Sequence, residues 1–176
     1  MSTGKQVLVV EDDAALSQSL TEQLRLHEDF ECVVANSGKE ALDLAKDSYF
    51  DVILLDVGLP DMDGRDVCKL MRRANVKSPI IMLTGANSDS DTILGLESGA
   101  NDYVTKPFRL NVLLARIRAH IRQHEQSEDA VFVIGPYSFQ PSAKILIETA
   151  TEKKVRLTEK ETSILKFLFR AGDKPV

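Results

Sequence analysis

The sequence contains only two cysteines, Cys32 and Cys68, among its 176 residues. They form no Cys-x-x-Cys pair and stand near no pair of histidines, so they indicate neither a disulfide framework nor a zinc site. We therefore expect reduced thiols that are buried as small apolar side chains, and no structural metal.

Long apolar runs are also missing. Runs such as residues 52–55 and 131–134 are far shorter than the roughly 18 residues that a membrane-spanning helix needs, and no charged-then-apolar leader opens the chain. With 43% hydrophobic and 28% charged residues, the composition is that of a globular chain with one or two cores. We expect a cytoplasmic protein without membrane contact.

Positive charge is scarce in the first part of the chain. Residues 1–125 carry 14 basic and 20 acidic side chains, whereas residues 126–176 carry 8 and 7. This difference predicts two units. The acidic first unit is unsuited to holding a nucleic-acid duplex by its phosphates, and the nearly neutral second unit is not excluded from that role.

Strand and helix patterns alternate through the first 123 residues. Short apolar segments predict strands at residues 6–10, 30–34, 52–55, 80–83 and 102–104. A helical pattern follows each strand, beginning with Leu16, Leu20 and Leu24 and continuing at residues 39–46, 65–73, 91–97 and 110–122. Strands that are apolar at every position belong in a parallel sheet covered on both faces. The pattern therefore predicts an α/β doubly wound domain of five parallel strands, with its site at the carboxyl ends of the strands.

A different pattern follows the polar segment HEQSED at residues 124–129, which predicts a linker. Short strands are predicted at residues 131–134, 137–140, 144–148 and 154–157, as an antiparallel sheet. Thr158 and Glu161 then form a capping box that opens an amphipathic helix. Its predicted apolar side is Ile164, Leu165, Phe167, Leu168 and Phe169. One sheet and one helix make a thin core, so the second unit looks incomplete.

Acidic residues follow two different strands. Glu11, Asp12 and Asp13 come after the first strand and Asp56 ends the third, and in a sheet of order 2-1-3 these strands are neighbours. Three or four carboxylates would then share one crevice, which is tolerable chiefly when a cation lies among them. An oxygen-only ligand set favours Mg²⁺. Asp13 alone is explained more simply as the N-cap of the first helix.

Two further polar residues follow strands: Thr84 comes after the fourth strand and Lys106 after the fifth. A carboxylate nucleophile, a divalent cation, a hydroxyl and an ammonium at four strand ends suit a phosphoryl group on Asp56, because the cation, Thr84 and Lys106 together would neutralise its oxygens. Each residue alone is weak evidence. Their joint placement predicts the site.

Four segments carry a family resemblance: VLVVEDD, LLDVGLPDMDG, IIMLTG and GANDYVTKPF. In this order and spacing they resemble the receiver domains of two-component response regulators, over residues 5 to about 123. The remainder resembles the first sheet and first helix of the winged-helix effector domain in the OmpR/PhoB subfamily. The resemblance implies a flavodoxin-like sheet of order 2-1-3-4-5 in a receiver domain of residues 1–123. A linker at 124–130 and an incomplete winged-helix domain at 131–176 would follow.

The resemblance also implies the roles of the site residues. Asp56 is then the phosphoacceptor, and Mg²⁺ is held by Glu11, Asp12, Asp56 and the backbone carbonyl of Gly58. Thr84 and Lys106 contact the phosphoryl group, and Tyr103 is the switch aromatic, whose ring changes exposure as Thr84 moves. Tyr103 can equally be a half-buried strand residue. The Lys106-Pro107 bond is expected to be cis.

Members of the subfamily dimerise through the fourth helix, fifth strand and fifth helix of the receiver. In this sequence these are the elements predicted at residues 91–97, 102–104 and 110–122. The matching residues are Leu94, Glu97, Asp102, Val112, Arg116, Arg118 and Arg122. Asp102 with Arg116, and Glu97 with Arg118, match cross-subunit ion pairs of the family, while Asn101 stands where an acidic partner of Arg122 is usual.

Leu94 and Val112 replace a basic and an acidic residue of the family pattern. We hypothesise that an ion pair has become an apolar contact at little cost, because exposed pairs contribute only about 0 to 1 kcal/mol. The alternative is that both side chains pack within their own chain.

The resemblance implies that a sensor histidine kinase donates the phosphoryl group and that the phosphorylated protein forms a homodimer. DNA recognition in the subfamily uses a later helix and a wing, which would follow Val176. We therefore expect DNA binding and transcription regulation only from the full-length protein, and no turnover enzyme activity.

Three alternatives stay open. An aspartate-nucleophile phosphohydrolase needs a second Asp at position 58, where this chain has Gly58. A flavodoxin-like nucleotide binder needs a glycine- or hydroxyl-rich first loop, whereas Glu11, Asp12 and Asp13 would repel phosphate. The third alternative is a receiver that signals without phosphorylation.

Overall fold

The computed structural model describes residues 4–28, 30–85, 93 and 97–171. The chain divides into two compact units, Gly4–Ile121 and a second that begins at Arg122. The elements up to residue 125 are β1 (Gln6–Val10), α1 (Ala14–Glu28), β2 (Glu31–Ala35), α2 (Gly38–Asp47), β3 (Val52–Asp56), α3 (Gly64–Arg73), β4 (Ile80–Thr84), β5 (Asp102–Thr105) and α4 (Leu110–Glu125).

The five strands form one parallel sheet in the order β2-β1-β3-β4-β5, which confirms the predicted order. Every residue of β3 and β4 is buried, because helices cover both faces of these strands. One apolar cluster packs α1 and α4 on one face, and a second packs α2 and α3 on the other. The carboxyl ends of β1, β3, β4 and β5 therefore lie along one edge of the sheet.

The structure ends one predicted helix at a different residue, and another predicted helix lies largely in the part of the chain that it does not describe. The predicted helix at residues 91–97 lies mostly outside the described residues. The last helix of this region, α4, continues to Glu125, three residues beyond its predicted end at 122. The helix continues because polar residues alone do not end a helix. The turn that follows it forms where the Ser127 backbone N–H and hydroxyl both donate to the His124 carbonyl, at 3.0 and 2.6 Å.

The second unit contains β6 (Phe132–Ile134), β7 (Tyr137–Gln140), β8 (Ile145–Glu148), β9 (Lys154–Arg156) and α5 (Glu159–Ala171). The strands form an antiparallel sheet in chain order, as predicted. The capping box is present: the Glu161 N–H donates to Thr158 Oγ1 at 3.2 Å, and the Thr158 N–H donates to Glu161 Oε2 at 2.8 Å.

The apolar side of α5 is only partly used. Leu165 and Phe169 pack into the small core around Phe132 and Phe139. The other three predicted members, Ile164, Phe167 and Leu168, are 48%, 59% and 51% exposed, because one sheet covers only one stripe of a helix. Among the described residues, no helix combines the length and apolar character needed to cross a bilayer.

Candidate functional site

Two neighbouring strands deliver the acidic residues to the site. β1 and β3 pair in parallel, with Val10 opposite Leu55, so Glu11 and Asp56 follow at the same level. The Glu11 backbone N–H donates to the Ala35 carbonyl at 3.0 Å, which fixes the chain just past β1. The predicted convergence of acidic side chains on one edge of the sheet is therefore present.

Three carboxylates meet at this edge. Glu11, Asp12 and Asp56 each offer one oxygen, and these oxygens lie within 4.8 Å of one another. Glu11 and Asp56 are buried and Asp12 is exposed. Carboxylates this close repel one another unless positive charge lies between them, and oxygen ligands suit a hard divalent cation. The group can therefore hold a metal ion.

Asp13 is directed elsewhere. Its Oδ1 accepts a hydrogen bond from the Leu16 N–H at 3.1 Å, at the beginning of α1. This is the N-cap role that the sequence favoured for Asp13, and the acidic group accordingly has three members rather than four. Among the described contacts, the one that joins Asp13 to the site is its backbone N–H, which donates to Glu11 Oε1 at 3.2 Å.

Lys106 supplies a positive charge beside two of the three carboxylates. Its Nζ lies 2.8 Å from Glu11 Oε2 and 3.1 Å from Asp56 Oδ1. Burial alone would lower the pKa of this ammonium, but the hydrogen bonds and charges of Glu11 and Asp56 outweigh burial, so the pKa of Lys106 is raised. Lys106 is therefore charged at neutral pH and binds the two buried carboxylates.

Two more of the predicted site residues, Thr84 and Tyr103, lie on β4 and β5. Thr84 is the buried last residue of β4, and its carbonyl accepts a hydrogen bond from the Lys106 N–H at 2.5 Å. The Lys106-Pro107 bond is cis, as predicted. Tyr103 is half-buried and packs against the apolar cluster beneath α2 and α3. Gly85 is exposed, and a Cβ there would meet no atom of the described residues within 4 Å.

The loop after Asp56 passes very close to that residue's backbone. A Cβ on Gly64 would lie 2.1 Å from the Asp56 carbonyl oxygen, so no other residue type fits there. A Cβ on Gly58 would lie 3.8 Å from Asp56 Oδ2, an ordinary contact distance. Asp63 is the N-cap of α3 and also binds Arg65, with Nη2 2.7 Å from Oδ2. Contacts within the segment therefore hold the part of the loop that adjoins α3.

The predicted dimer residue Asp102 is bound inside its own chain. It accepts hydrogen bonds from Arg116 Nη1 at 2.9 and 3.0 Å, and its Oδ2 lies 2.8 Å from His120 Nε2. Burial alone would raise the pKa of Asp102. The contacts with His120, the Tyr103 N–H and Arg116 outweigh burial, so the pKa is lowered. Sequence reasoning missed His120, although its position four residues after Arg116 places both on one helix face.

The other dimer candidates within the described residues lie at the surface. Glu97, Val112, Arg118 and Arg122 are exposed, and Leu94 lies outside the described residues. Asn101, interpreted from sequence as a lost partner of Arg122, has another role. Its Oδ1 accepts hydrogen bonds from Arg72 Nη2 at 2.8 Å and from the Ile80 N–H at 2.9 Å.

Comparison with known proteins agrees with this geometry. The response regulator receiver domain family matches residues 7–118. The cell cycle response regulator CtrA of Brucella ovis is 40% identical over 162 residues, which cover 92% of this chain and 68% of CtrA.

Two solved structures extend the comparison. DrrB, an OmpR/PhoB homologue from Thermotoga maritima, is 28% identical with a TM-score of 0.62, covering 99% of this chain and 76% of DrrB. The BeF3-activated receiver domain of RstA from Klebsiella pneumoniae is 38% identical with a TM-score of 0.64, covering 68% of this chain and all of that domain. With its five-stranded parallel sheet, its acidic group and these relatives, the chain belongs to the two-component response regulators of the OmpR/PhoB type.

Proposed function

We propose that this chain is a cytoplasmic phosphorylation-activated switch whose receiver domain, residues 1–123, accepts a phosphoryl group on Asp56. The observation that carries the proposal is the position of Asp56. Its carboxylate is buried at a strand end and is bound by Lys106. One of its oxygens lies within 4.8 Å of an oxygen of Glu11 and an oxygen of Asp12. A buried carboxylate that lies beside other carboxylates and a specific cation at the edge of a sheet is a candidate for a catalytic or binding role.

The proposed donor is the phosphohistidine of a sensor histidine kinase. An oxygen of the Asp56 carboxylate attacks phosphorus while the phosphorus–nitrogen bond of the donor breaks. The electron pair of that bond remains on the imidazole nitrogen, and Asp56 becomes an acyl phosphate. Glu11, Asp12, Asp56 and the Gly58 carbonyl would hold a Mg²⁺ ion, whose charge neutralises phosphoryl oxygens when it is bound.

Lys106 and Thr84 serve the phosphoryl group in this proposal. The Lys106 ammonium already lies 3.1 Å from Asp56 Oδ1, so it needs only a small movement to contact an oxygen added there. The Thr84 hydroxyl comes from the end of β4, the strand beside β3. Tyr103, on β5, is the proposed aromatic that changes exposure when Thr84 moves.

The phosphoryl group is expected to be lost slowly. Position 58 carries no side chain, so the carboxylate that acts as acid and base in aspartate-nucleophile hydrolases has no counterpart there. We propose a phosphoacceptor that assists its own transfer and hydrolysis rather than a turnover enzyme.

Phosphorylation would favour a dimer. The proposed surface comprises Leu94, Glu97, Asp102, Val112, Arg116, Arg118 and Arg122. Val112 is 42% exposed, which is compatible with an apolar contact to a partner. Asp102 and Arg116 bind each other within the chain, so a cross-subunit pair would require them to exchange partners. In a full-length protein the dimer would bind DNA through the remainder of the effector domain and regulate transcription.

The test is native mass spectrometry of the chain with Mg²⁺ and acetyl phosphate. Asp56→Asn is the matched control, because it keeps the shape of the side chain and removes the nucleophile. We expect one phosphoryl adduct on the wild type, none on the variant, and a larger dimer fraction only for the adduct.

Two results would count against the proposal. An adduct on Asp56→Asn would place the phosphoryl group on another residue. A wild type that takes no phosphoryl group from acetyl phosphate or from a phosphorylated histidine kinase would favour the alternative of a receiver that signals without phosphorylation.

A further inference from the structure

The loop that joins Asp56 to α3 is closed at its base. The Gly64 N–H donates to the Val57 carbonyl at 2.9 Å, and Gly58 and Asp63 form an isolated antiparallel bridge. These contacts fix both ends of the segment. They leave its tip, Asp61, to be held by something outside the loop.

The amino terminus of α2 holds that tip. Asp61 Oδ1 accepts a hydrogen bond from the Gly38 N–H at 2.8 Å, and Oδ2 accepts one from the Lys39 N–H at 3.0 Å. Both bonds join an ionised carboxylate to backbone N–H groups of a first helical turn, an arrangement that favours the charged form. The same two contacts lower the pKa of Asp61, so the carboxylate is ionised at neutral pH.

The α2 helix has its own N-cap and does not depend on Asp61 for one. Ser37 Oγ accepts a hydrogen bond from the Glu40 N–H at 3.2 Å. The loop also packs directly on the helix, because a Cβ on Gly38 would lie 2.6 Å from Met62 Cγ. The bonds of Asp61 therefore tie the loop to the helix, in addition to the cap that Ser37 supplies.

We propose that Asp61 is a positioning residue for the metal group: it ties the loop to α2 and thereby holds Gly58 beside Asp56. Gly58 lies three residues before Asp61, and its Cα position is close enough to Asp56 that an added Cβ would contact Oδ2 at 3.8 Å. When the tip is released, the contacts at the base of the loop remain, but the Gly58 carbonyl is held less firmly because the loop is no longer bound to α2 through Asp61. This inference rests on the proposed role of that carbonyl as a Mg²⁺ ligand.

The experiment compares Asp61→Ala with Ser37→Ala. Asp61→Ala removes two hydrogen bonds to the first turn of α2 and Ser37→Ala removes one, but of these two residues only Asp61 connects that turn to the loop. Mg²⁺ dissociation constants are measured by titration calorimetry and free energies of unfolding by urea titration. We expect Asp61→Ala to weaken Mg²⁺ binding on the order of tenfold, as for other residues that orient metal ligands. Ser37→Ala should leave the dissociation constant unchanged.

Two further measurements separate positioning from general destabilisation. Asp61→Asn keeps one acceptor oxygen and should give an intermediate dissociation constant. Amide hydrogen exchange should accelerate at residues 58–64 in Asp61→Ala and not in Ser37→Ala. In labelling with acetyl phosphate, the Mg²⁺ concentration at half-maximal rate should rise while the rate at saturating Mg²⁺ stays near the wild-type value.

The inference is overturned if Asp61→Ala, or Asp61→Asn should the alanine variant not fold, binds Mg²⁺ like the wild type. It is also overturned if Ser37→Ala weakens binding equally. A wild type that binds no Mg²⁺ would overturn the proposed metal role of the site together with this inference, whereas normal wild-type binding with unaffected variants would overturn the role of Asp61 alone.

Discussion

Lys106 Nζ lies 2.8 Å from Glu11 Oε2, although 95 residues separate them in the chain. Their strands, β5 and β1, are not neighbours, because β3 and β4 lie between them in the sheet. The Lys106 side chain therefore reaches across the end of β3, and on its path it also contacts Asp56 at 3.1 Å. This single ammonium connects three strand ends.

Removing that ammonium should destabilise the fold. Lys106→Met leaves Glu11 and Asp56, whose side chains are 4% and 9% exposed, without the cation that binds them. We expect a loss of about 1–3 kcal/mol in the free energy of unfolding at neutral pH. Urea unfolding measures it, and saturating Mg²⁺ should recover part of it. An unchanged stability without Mg²⁺ would show that the ion pairs contribute nothing.

Gly64→Ala and Gly85→Ala should differ sharply. At position 64 the new Cβ would lie 2.1 Å from the Asp56 carbonyl oxygen, whereas at position 85 it would lie within 4 Å of no described residue. We expect Gly64→Ala to lose more than about 3 kcal/mol or to fail to fold, since backbone must move to relieve the clash. Gly85→Ala should stay within about 0.5 kcal/mol of the wild type. Thermal unfolding of both variants distinguishes these outcomes, and equal melting temperatures would contradict the prediction.

Asp102→Asn should change how stability depends on pH. The pKa of Asp102 is lowered from its ordinary 3.8, so the unfolded chain takes up the proton first as the pH falls. Its contribution is fully present above the ordinary pKa and is lost as pH falls through the lower folded value. The free energy of unfolding of the wild type should exceed that of Asp102→Asn by about 1 kcal/mol near pH 5, and this difference should shrink toward about pH 2. A difference that is constant over this range would contradict the assignment.

Both cysteines should react slowly with iodoacetamide in the folded protein. Burial raises the pKa of Cys32 to about 11 despite nearby Arg25, and burial also raises the pKa of Cys68. At about pH 8 roughly one Cys32 thiol in a thousand would be ionised, and the thiolate is the reactive form. Mass spectrometry should show rapid double labelling in urea and little in buffer. Rapid native labelling of Cys32 would mean that its environment is more open.

Local sequence patterns predicted the covered parallel sheet and the carboxylates at its edge, whereas the strand order 2-1-3-4-5 was implied by the family resemblance. Fully apolar strands predict a covered parallel sheet, and polar residues directly after such strands must lie at its carboxyl edge. Asp56 and Lys106 were identified in this way. The half-used apolar side of α5 could not be predicted, because periodicity reports which residues are apolar and not how many partners the chain supplies to cover them.

Side-chain partners across the fold were the other omission. His120 bound to Asp102, and Arg72 bound to Asn101, join residues that are 18 and 29 positions apart. No spacing rule connects a helix residue to a particular strand residue, because the contact depends on how the helix lies against the sheet. The sequence interpretation of Asn101 concerned only the charge that is missing there, and the structure adds that its amide oxygen is an acceptor for Arg72 and the Ile80 N–H.

The phosphoacceptor candidate stands at the end of β3, one of the two fully buried strands in the described part of the chain. All five residues of β3 are buried, and the strand pairs with β1 on one side and β4 on the other. Such a strand opens only with the whole domain, so its amides should be among the last to exchange with solvent. A chemical event at Asp56 therefore begins on a rigid support, and any signal that it generates must be expressed by the elements around β3 rather than by β3 itself.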